Sequence, residues 1–395
     1  MVEELPMQAP ATAQPPATGD LAEWRSELRG WLTAHVPHGL PSLEHAVVDT
    51  TPYRTWERCL ADAGYAAVHW PVEHGGRGAN QRQRLVFQEE YERALAPARI
   101  NIQGLMLGGP TLMAFGTREQ QERWLPAMLR ADEVWGQGFS EPDAGSDLAS
   151  LRTRAVRHGD ELLVNGQKIW TTGAHYSDWI FALVRTGPEQ SRHRGITWLM
   201  IDLRSPGVTV RPIDQLNGRA DFAEVFFEDV RVPVGNVVGG VDNGWTVAMT
   251  ALGFERGVGR RSFVQYLTRL EALRKVVAAR GVQLDAGVER EFGEVLAKVL
   301  MYRDYTARVA AEADQEGMTG TAAYNKLLWS DLQVQVFELG ERVLRAVGQR
   351  RGAAGLADPE EWAAEYWYAR AARIFAGTNQ IQRNLIAERV LGLPR

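Results

Sequence analysis

From Leu21 to Trp135, apolar residues recur at steps of three and four, as in LAEWRSELRGWL and REQQERWLPAML. That is the period of an amphipathic helix, and it predicts an all-α first unit. Between about Gly136 and Gly240 the pattern changes to the short runs ELLVNGQKIW, DWIFALVRT, GITWLMIDL, GVTVRPI and AEVFFEDVRVP, parted by Gly, Asp, Asn and Pro. These predict a compact β domain. After GGVDNGW the helical period returns in VAMTALGFERGVGRRSFVQYLTRLEALRKVVAAR, EFGEVLAKVLMYRDYTARVAAEA and NKLLWSDLQVQVFELGERVLRAV, each long enough for a bundle helix. The expected fold is α+β and multidomain: a leader over 1–20, an α-helical domain over 21–135, a β domain over 136–240 and a four-helix-bundle-like α domain over 241–395. A β unit between two helical units creates two crevices, where ligand sites tend to lie.

Composition narrows the function classes. With 395 residues, 45% of them apolar, the chain can bury a large core. A net charge of -5, with no basic run interleaved with aromatics, excludes nucleic acid as an expected partner. Lysine is scarce: Lys168, Lys275, Lys298 and Lys326 stand among 44 basic residues, an arginine bias that reads as GC-rich coding. The single cysteine, Cys59, excludes an internal disulfide and suits a reducing cytoplasm. No apolar run reaches membrane-spanning length, and MVEELPMQAPATAQPPATGD reads as a flexible leader without signal or anchor character. The eight histidines show no zinc-type spacing, and no Gly-x-Ser-x-Gly elbow occurs, so neither metal nor serine-hydrolase chemistry is expected.

Three stretches carry candidate chemistry. In WGQGFSEPDAGSDLAS, residues Gln137 to Ser140 alternate as a strand, and the Pro/Gly turn after them offers amides and hydroxyls to a polar ring edge, with Ser140 and Ser146 as donors. On spacing alone a capped turn accounts for it better. In NGQKIWTTGAHYSDW, Trp170 can stack on a planar cofactor while Thr171 and Thr172 bond its heteroatoms, although on spacing alone a core tryptophan beside β-forming threonines fits better. The third stretch is IFAGTNQIQRNLIAERVLGLPR near the C-terminus.

In this order and at these separations, FSEPDAGSD, NGQKIWTTG and IFAGTNQIQRN resemble the acyl-CoA dehydrogenase family, as do PVEHGGRG, FGTREQQERWLP and FFEDVRVPVGNVVG. The resemblance implies an FAD enzyme of α,β-dehydrogenation: a carboxylate takes the α-proton of an acyl thioester, flavin N5 takes the β-hydride, and the product is a trans-2-enoyl thioester. It implies that Gln137, Phe139, Ser140 and Ser146 line the flavin, with Ser146 also near the thioester. Trp170 would cover the ring with Thr171 and Thr172 at its edge, and Thr378, Asn379 and Gln380 would contact other parts of the FAD. The backbone N–H of Ala376 would bind the thioester oxygen, with Gly377 beside the substrate.

Many members of that family carry the catalytic Glu where this chain has Ala376. Others place it in a Glu-Arg pair on a helix, and ALGFERGVG supplies Glu255 and Arg256, the latter expected beside the substrate. Val247, Ala251, Glu255 and Val258 follow at steps of four, four and three, so Glu255 continues an apolar stripe where a carboxylate would be poorly hydrated. Read without the resemblance, a half-solvated Glu paired with Arg256 fits that spacing better. The family's Arg-x-x-Phe-Gly and Gly-Gly-x-Gly stretches, which reach a partner subunit's FAD, are not intact here; Arg280 alone matches the former, which implies that it is an FAD contact, and REFG is expected inside the next helix. The expected partners are an acyl-CoA or acyl-carrier-protein thioester, an electron-transfer flavoprotein, and a second subunit in a homo-oligomer or heteromer. Two other readings stand beside the dehydrogenase: a non-catalytic partner subunit, and a flavin monooxygenase on the same fold. Gly253 and Gly257 beside Glu255 point to room for a bulky acyl group.

Overall fold

The computed structural model describes residues 20–37, 39–40, 49–255, 262–316, 321–348 and 358–394. The first unit comprises α1 (Leu21–His35), α2 (Thr51–Asp62), α3 (Gln81–Arg93), α4 (Gly109–Phe115) and α5 (Arg118–Leu129), with a π-helical turn at Gly104–Gly108 ahead of α4. Local chemistry fixes the starts of two of these helices. Asn80 with Gln83, and Thr117 with Gln120, form reciprocal capping boxes that satisfy amides of α3 and α5. PVEHGGRG proves to be a structural turn. A Cβ on Gly76 would lie 2.1 Å from the Trp70 carbonyl oxygen, so only glycine fits there.

The β domain holds β1 (Trp135–Gly138), β2 (Arg154–His158), β3 (Glu161–Thr172), β4 (Trp179–Arg185), β5 (Ile196–Asp202), β6 (Val208–Ile213), β7 (Phe222–Pro233) and β8 (Val237–Val238). The sheet runs β6-β7-β3-β2-β4-β5-β8, with β1 parallel to β4, and it is pinched where β2 meets β4 through the single pair Arg154↔Arg185. Both faces of β4 and β5 are covered, which is why their sequences are continuously apolar. Phe181, Leu183, Trp198 and Met200 join the core of the N-terminal helices, while Ile180, Ala182, Leu199 and Ile201 pack on the other strands. All five runs expected as strands are strands. β2 escaped notice because it buries only Ala155.

Beyond the sheet stand α6 (Gly244–Glu255), α7 (Phe263–Arg280), α8 (Ala286–Glu316), α9 (Thr321–Ala346), α10 (Pro359–Ala369) and α11 (Asn379–Leu385). The long helical run expected from Val247 to Arg280 is two helices. Ser262 begins the second by accepting the Val264 amide at 3.0 Å, and the preceding GVGRR is poor helix-forming sequence. REFG lies inside α8 as expected. By packing, α6 belongs to the first core: Val247, Ala248 and Ala251 are fully buried there, whereas α7 to α10 share a separate bundle core around Phe337 and Trp362. No helix among the described residues is long and apolar enough to cross a membrane.

Candidate functional site

The first two motifs lie side by side. Ile169 donates its amide to Ser140 O at 3.0 Å, and Lys168, with no exposed surface, donates from Nζ to Phe139 O at 3.1 Å and Glu141 Oε1 at 2.7 Å. Glu141 also accepts the amides of Arg152 (2.6 Å) and Thr153 (2.9 Å), so one buried carboxylate ties the start of the EPDAGSD loop to the segment that leads into β2. Burial by itself raises the Glu141 carboxyl, but Lys168 and the amide donors outweigh it and hold the group below the usual carboxylate range. Burial lowers Lys168 in turn, with Glu141 opposing the drop.

One step further along β3 the backbone is strained. Pairing with β7 skips from Lys168↔Val225 to Thr171↔Ala223, a bulge of one extra residue, and within it Trp170 adopts a left-handed φ of +60°. A bulky residue in that region costs roughly 1–3 kcal/mol and persists where the surroundings enforce it. The indole is turned outward and is 54% exposed. Thr172 keeps some accessible surface; Thr171 has none, and its hydroxyl is unpaired.

An aromatic chain leads from Trp170 to the third motif. Phe222 meets Trp170 edge-on at 6.1 Å and stacks on Tyr368 at 6.4 Å, and Tyr368 lies 5.9 Å from Phe375, which stacks on Trp329 at 5.8 Å. Arg219, between β6 and β7, pairs with Glu365 of α10 at 2.9 Å and ties the β domain to the bundle. Next to Phe375, Ala376 and Gly377 are both left-handed, with φ of +56° and +81°. Consecutive left-handed residues turn successive amides to one side. Gln382, fully buried, donates to Ala376 O at 3.3 Å, and the Ala376 amide has no backbone acceptor among the described residues. Below the loop, Lys326 donates to Ala372 O at 2.9 Å and Asn379 Oδ1 at 2.7 Å; burial lowers this lysine to about 8.

The expected site residues thus fall into distinct situations. Trp170, Thr172, Gln137, Ser140, Ser146, Ala376, Gly377 and Gln380 all retain accessible surface. Phe139 points into the core against Phe181 and Trp198, Asn379 into the bundle toward Lys326 and Ser330, and Thr378 caps α11 by accepting the Ile381 amide. With those side chains and that of Thr171 occupied or enclosed, only their backbone groups are left for a ligand. Arg280 is exposed at the last turn of α7. Glu255 is the last described residue of α6, one four-residue step beyond the buried Ala251, with its side chain outside the described residues, as is Arg256. Phe222, Tyr368, Lys326 and Gln382 were not anticipated.

This set suits a flavin. An outward indole held in a strained bulge gives a flat apolar face, and Gln137, Ser140 and Thr172 supply the hydrogen-bonding groups that an isoalloxazine edge needs.

Known proteins agree with that arrangement. The chain matches the acyl-CoA dehydrogenase N-terminal domain over residues 18–132, the middle domain over 136–230 and the C-terminal domain over 242–391. It is 40% identical over 385 residues to acyl-CoA dehydrogenase IpdE1 of Mycobacterium tuberculosis, covering 95% of this chain and 98% of that protein. Among solved structures it is similar to the Tcur3481-Tcur3483 steroid ACAD, at 30% identity and a TM-score of 0.83 over 95% of this chain and 98% of that one. It is also similar to the ChsE4-ChsE5 complex of Mycobacterium tuberculosis, at 30% identity and a TM-score of 0.81 over 98% and 100% of the two chains.

Proposed function

The chain belongs to the acyl-CoA dehydrogenase family and is an FAD-dependent acyl-CoA dehydrogenase, and from that premise we propose that Glu255 is its base and that its acyl substrate is bulky. The observation that carries the base assignment is the register of α6: Val247 and Ala251 are fully buried at successive four-residue steps, and Glu255 is the next step. The C-terminal loop offers no alternative carboxylate, since Ala376 occupies that position. In this reading the Glu255 carboxylate accepts the α-proton. The Ala376 amide, turned by its left-handed backbone and freed of a backbone partner, donates to the thioester oxygen on which charge develops; such a fixed donor is worth about 3 kcal/mol in a dry site. Bound FAD supplies the acceptor for the β-hydride. Gln137, Ser140, Ser146, Trp170, Thr172 and Gln380 hold that cofactor, with Phe139, Thr171, Thr378 and Asn379 contributing through their backbones.

Gly253, two residues before Glu255, is exposed and turned to the opposite side of α6, so the support for a bulky acyl group comes from the likeness to known proteins. The similar Tcur3481-Tcur3483 protein is a steroid ACAD by name. Both similar solved structures pair unlike chains, and this sequence lacks the family's two stretches for a like partner's FAD, so assembly with a second, different subunit follows. An electron-transfer flavoprotein is the electron acceptor in this reading. Under anaerobic mixing, Glu255→Gln is expected to keep FAD and thioester binding and lose nearly all flavin reduction; near-normal reduction would sink the assignment of the base.

A further inference from the structure

A polar seam inside the helical bundle holds the C-terminal loop. Lys326 and Ser330 stand one turn apart on the same face of α9, and both are buried. α11 packs against α9 and brings Asn379 and Gln382, likewise buried and one turn apart. Apolar side chains would suit a bundle core better, because each buried polar group must replace its lost hydration with hydrogen bonds. Here those bonds go to the loop. Lys326 Nζ donates to Ala372 O at 2.9 Å and to Asn379 Oδ1 at 2.7 Å, and Ser330 Oγ donates to the same Asn379 oxygen at 3.1 Å. Gln382 Nε2 donates to Ala376 O at 3.3 Å. The stretch 372–379 is thus tied at both ends by one ammonium and at Ala376 by one amide.

Between those ties the backbone is unfavourable. Ala376 is left-handed at φ +56° although it carries a Cβ, and Gly377 follows at +81°. A Cβ on Gly377 would lie 2.7 Å from Gln382 Nε2, so the glutamine amide fits directly against the turn. Ile374 and Gly377 are exposed on the loop's open side. Phe375, whose carbonyl shares a peptide with the Ala376 N–H, is fixed by stacking on Trp329 of α9 and by its own amide, which donates to Ala371 O at 3.1 Å. The direction of the Ala376 N–H is therefore set from the bundle side, through the seam. A hydrogen bond weakens steeply as its angle opens, so that direction decides what the amide is worth to a ligand.

We infer that Lys326 and Gln382 are positioning residues for α-proton abstraction: acting through the loop, they aim the Ala376 amide at the thioester oxygen. This rests on the reading in which Glu255 is the base and Ala376 N–H meets that oxygen. In the step concerned the Cα–H bond breaks, the proton passes to the Glu255 carboxylate, and the electron pair delocalises onto the thioester oxygen. Charge on the oxygen grows as the proton leaves, so a misaimed amide costs more in rate than in substrate binding.

The test uses the holoenzyme at saturating FAD and two acyl-CoA thioesters, one straight-chain and one steroid-bearing, each with sulfur in place of the β-carbon and deuterium at Cα. No hydride can leave from sulfur, so loss of deuterium to water, followed by mass spectrometry, reports proton abstraction alone. At saturating thioester, Lys326→Met and Gln382→Leu should each slow this exchange by about 10- to 100-fold per FAD-loaded chain, with the half-saturating concentration changed less than about threefold. If Lys326→Met does not fold, Gln382→Leu carries the same expectation. A lower melting temperature with exchange unchanged makes the seam structural and overturns the inference, as does a loss confined to the half-saturating concentration. Glu255→Gln should abolish exchange. If it does while both seam variants exchange normally, only this inference falls; if the unsubstituted holoenzyme exchanges neither thioester, the reading of Glu255 and Ala376 falls with it.

Discussion

Lys168→Met removes the buried cation that bonds Phe139 O and Glu141 while preserving most of the side-chain length. The lysine has no exposed surface, and its two bonds, to Glu141 Oε1 at 2.7 Å and Phe139 O at 3.1 Å, both disappear. Deleting one partner of a buried ion pair costs about 3–5 kcal/mol, because the other charge stays desolvated. Here Glu141 keeps the Arg152 and Thr153 amides, which favours the lower end of that range. The orphaned Phe139 carbonyl adds about 1 kcal/mol. The expected loss is thus about 4 kcal/mol. Equilibrium urea denaturation followed by tryptophan fluorescence measures it, and FAD absorbance per chain reports whether the chain still holds cofactor. The second arm is the double variant Lys168→Met with Glu141→Gln, in which no buried charge is left and about half the stability should return. A single-variant loss under about 1 kcal/mol, or a double variant worse than the single one, would refute the reasoning that the pair rather than the packing fixes this loop.

Trp170→Ala should change the stability of the FAD-free protein by less than about 0.5 kcal/mol, since the indole is mostly exposed and touches Phe222 edge-on; FAD affinity should fall at least tenfold, and an unaltered dissociation constant would exclude a stacking role. His69→Gln bears on acid stability. The folded state holds this imidazole at about 3 against an ordinary 6.5, so as pH falls below 6.5 the unfolded chain takes up a proton that the folded one refuses, and stability is lost through the window down to about 3. Denaturation midpoints measured across that window should slope less steeply in His69→Gln; parallel slopes would show that His69 does not titrate as described.

Much of this molecule was legible in its pattern. Five strands and the principal helices follow from periods of two and between three and four, and the run of apolar residues in β4 and β5 reflects two covered faces. Ala376 was legible as well, as the absence of a carboxylate from the C-terminal loop. The aromatic bridge was not, because Phe222 and Tyr368 belong to different domains and each reads locally as an ordinary strand or helix residue. The lysines left a signal that was available but misread. In a chain that uses arginine almost throughout, Lys168 and Lys326 are two of four lysines, both are buried, and each braces a loop of the proposed cofactor site. A compact ammonium with three donors fits a junction of carbonyl and side-chain oxygens that a planar guanidinium would overfill.

The sequence by itself determined the order of α, β and α units, the four-residue steps that link Val247, Ala251 and Glu255, and the chemistry open to the C-terminal loop. Tertiary structure alone decided that the indole of Trp170 turns outward, that Thr171, Phe139 and Asn379 face inward, and that the run after Gly244 is two helices. The reason is physical. Periodicity encodes which face of an element is apolar, whereas a charge or a ring acquires its role from what lies opposite it, and here those partners come from 27 residues away for Lys168 and Glu141 and 53 for Lys326 and Asn379.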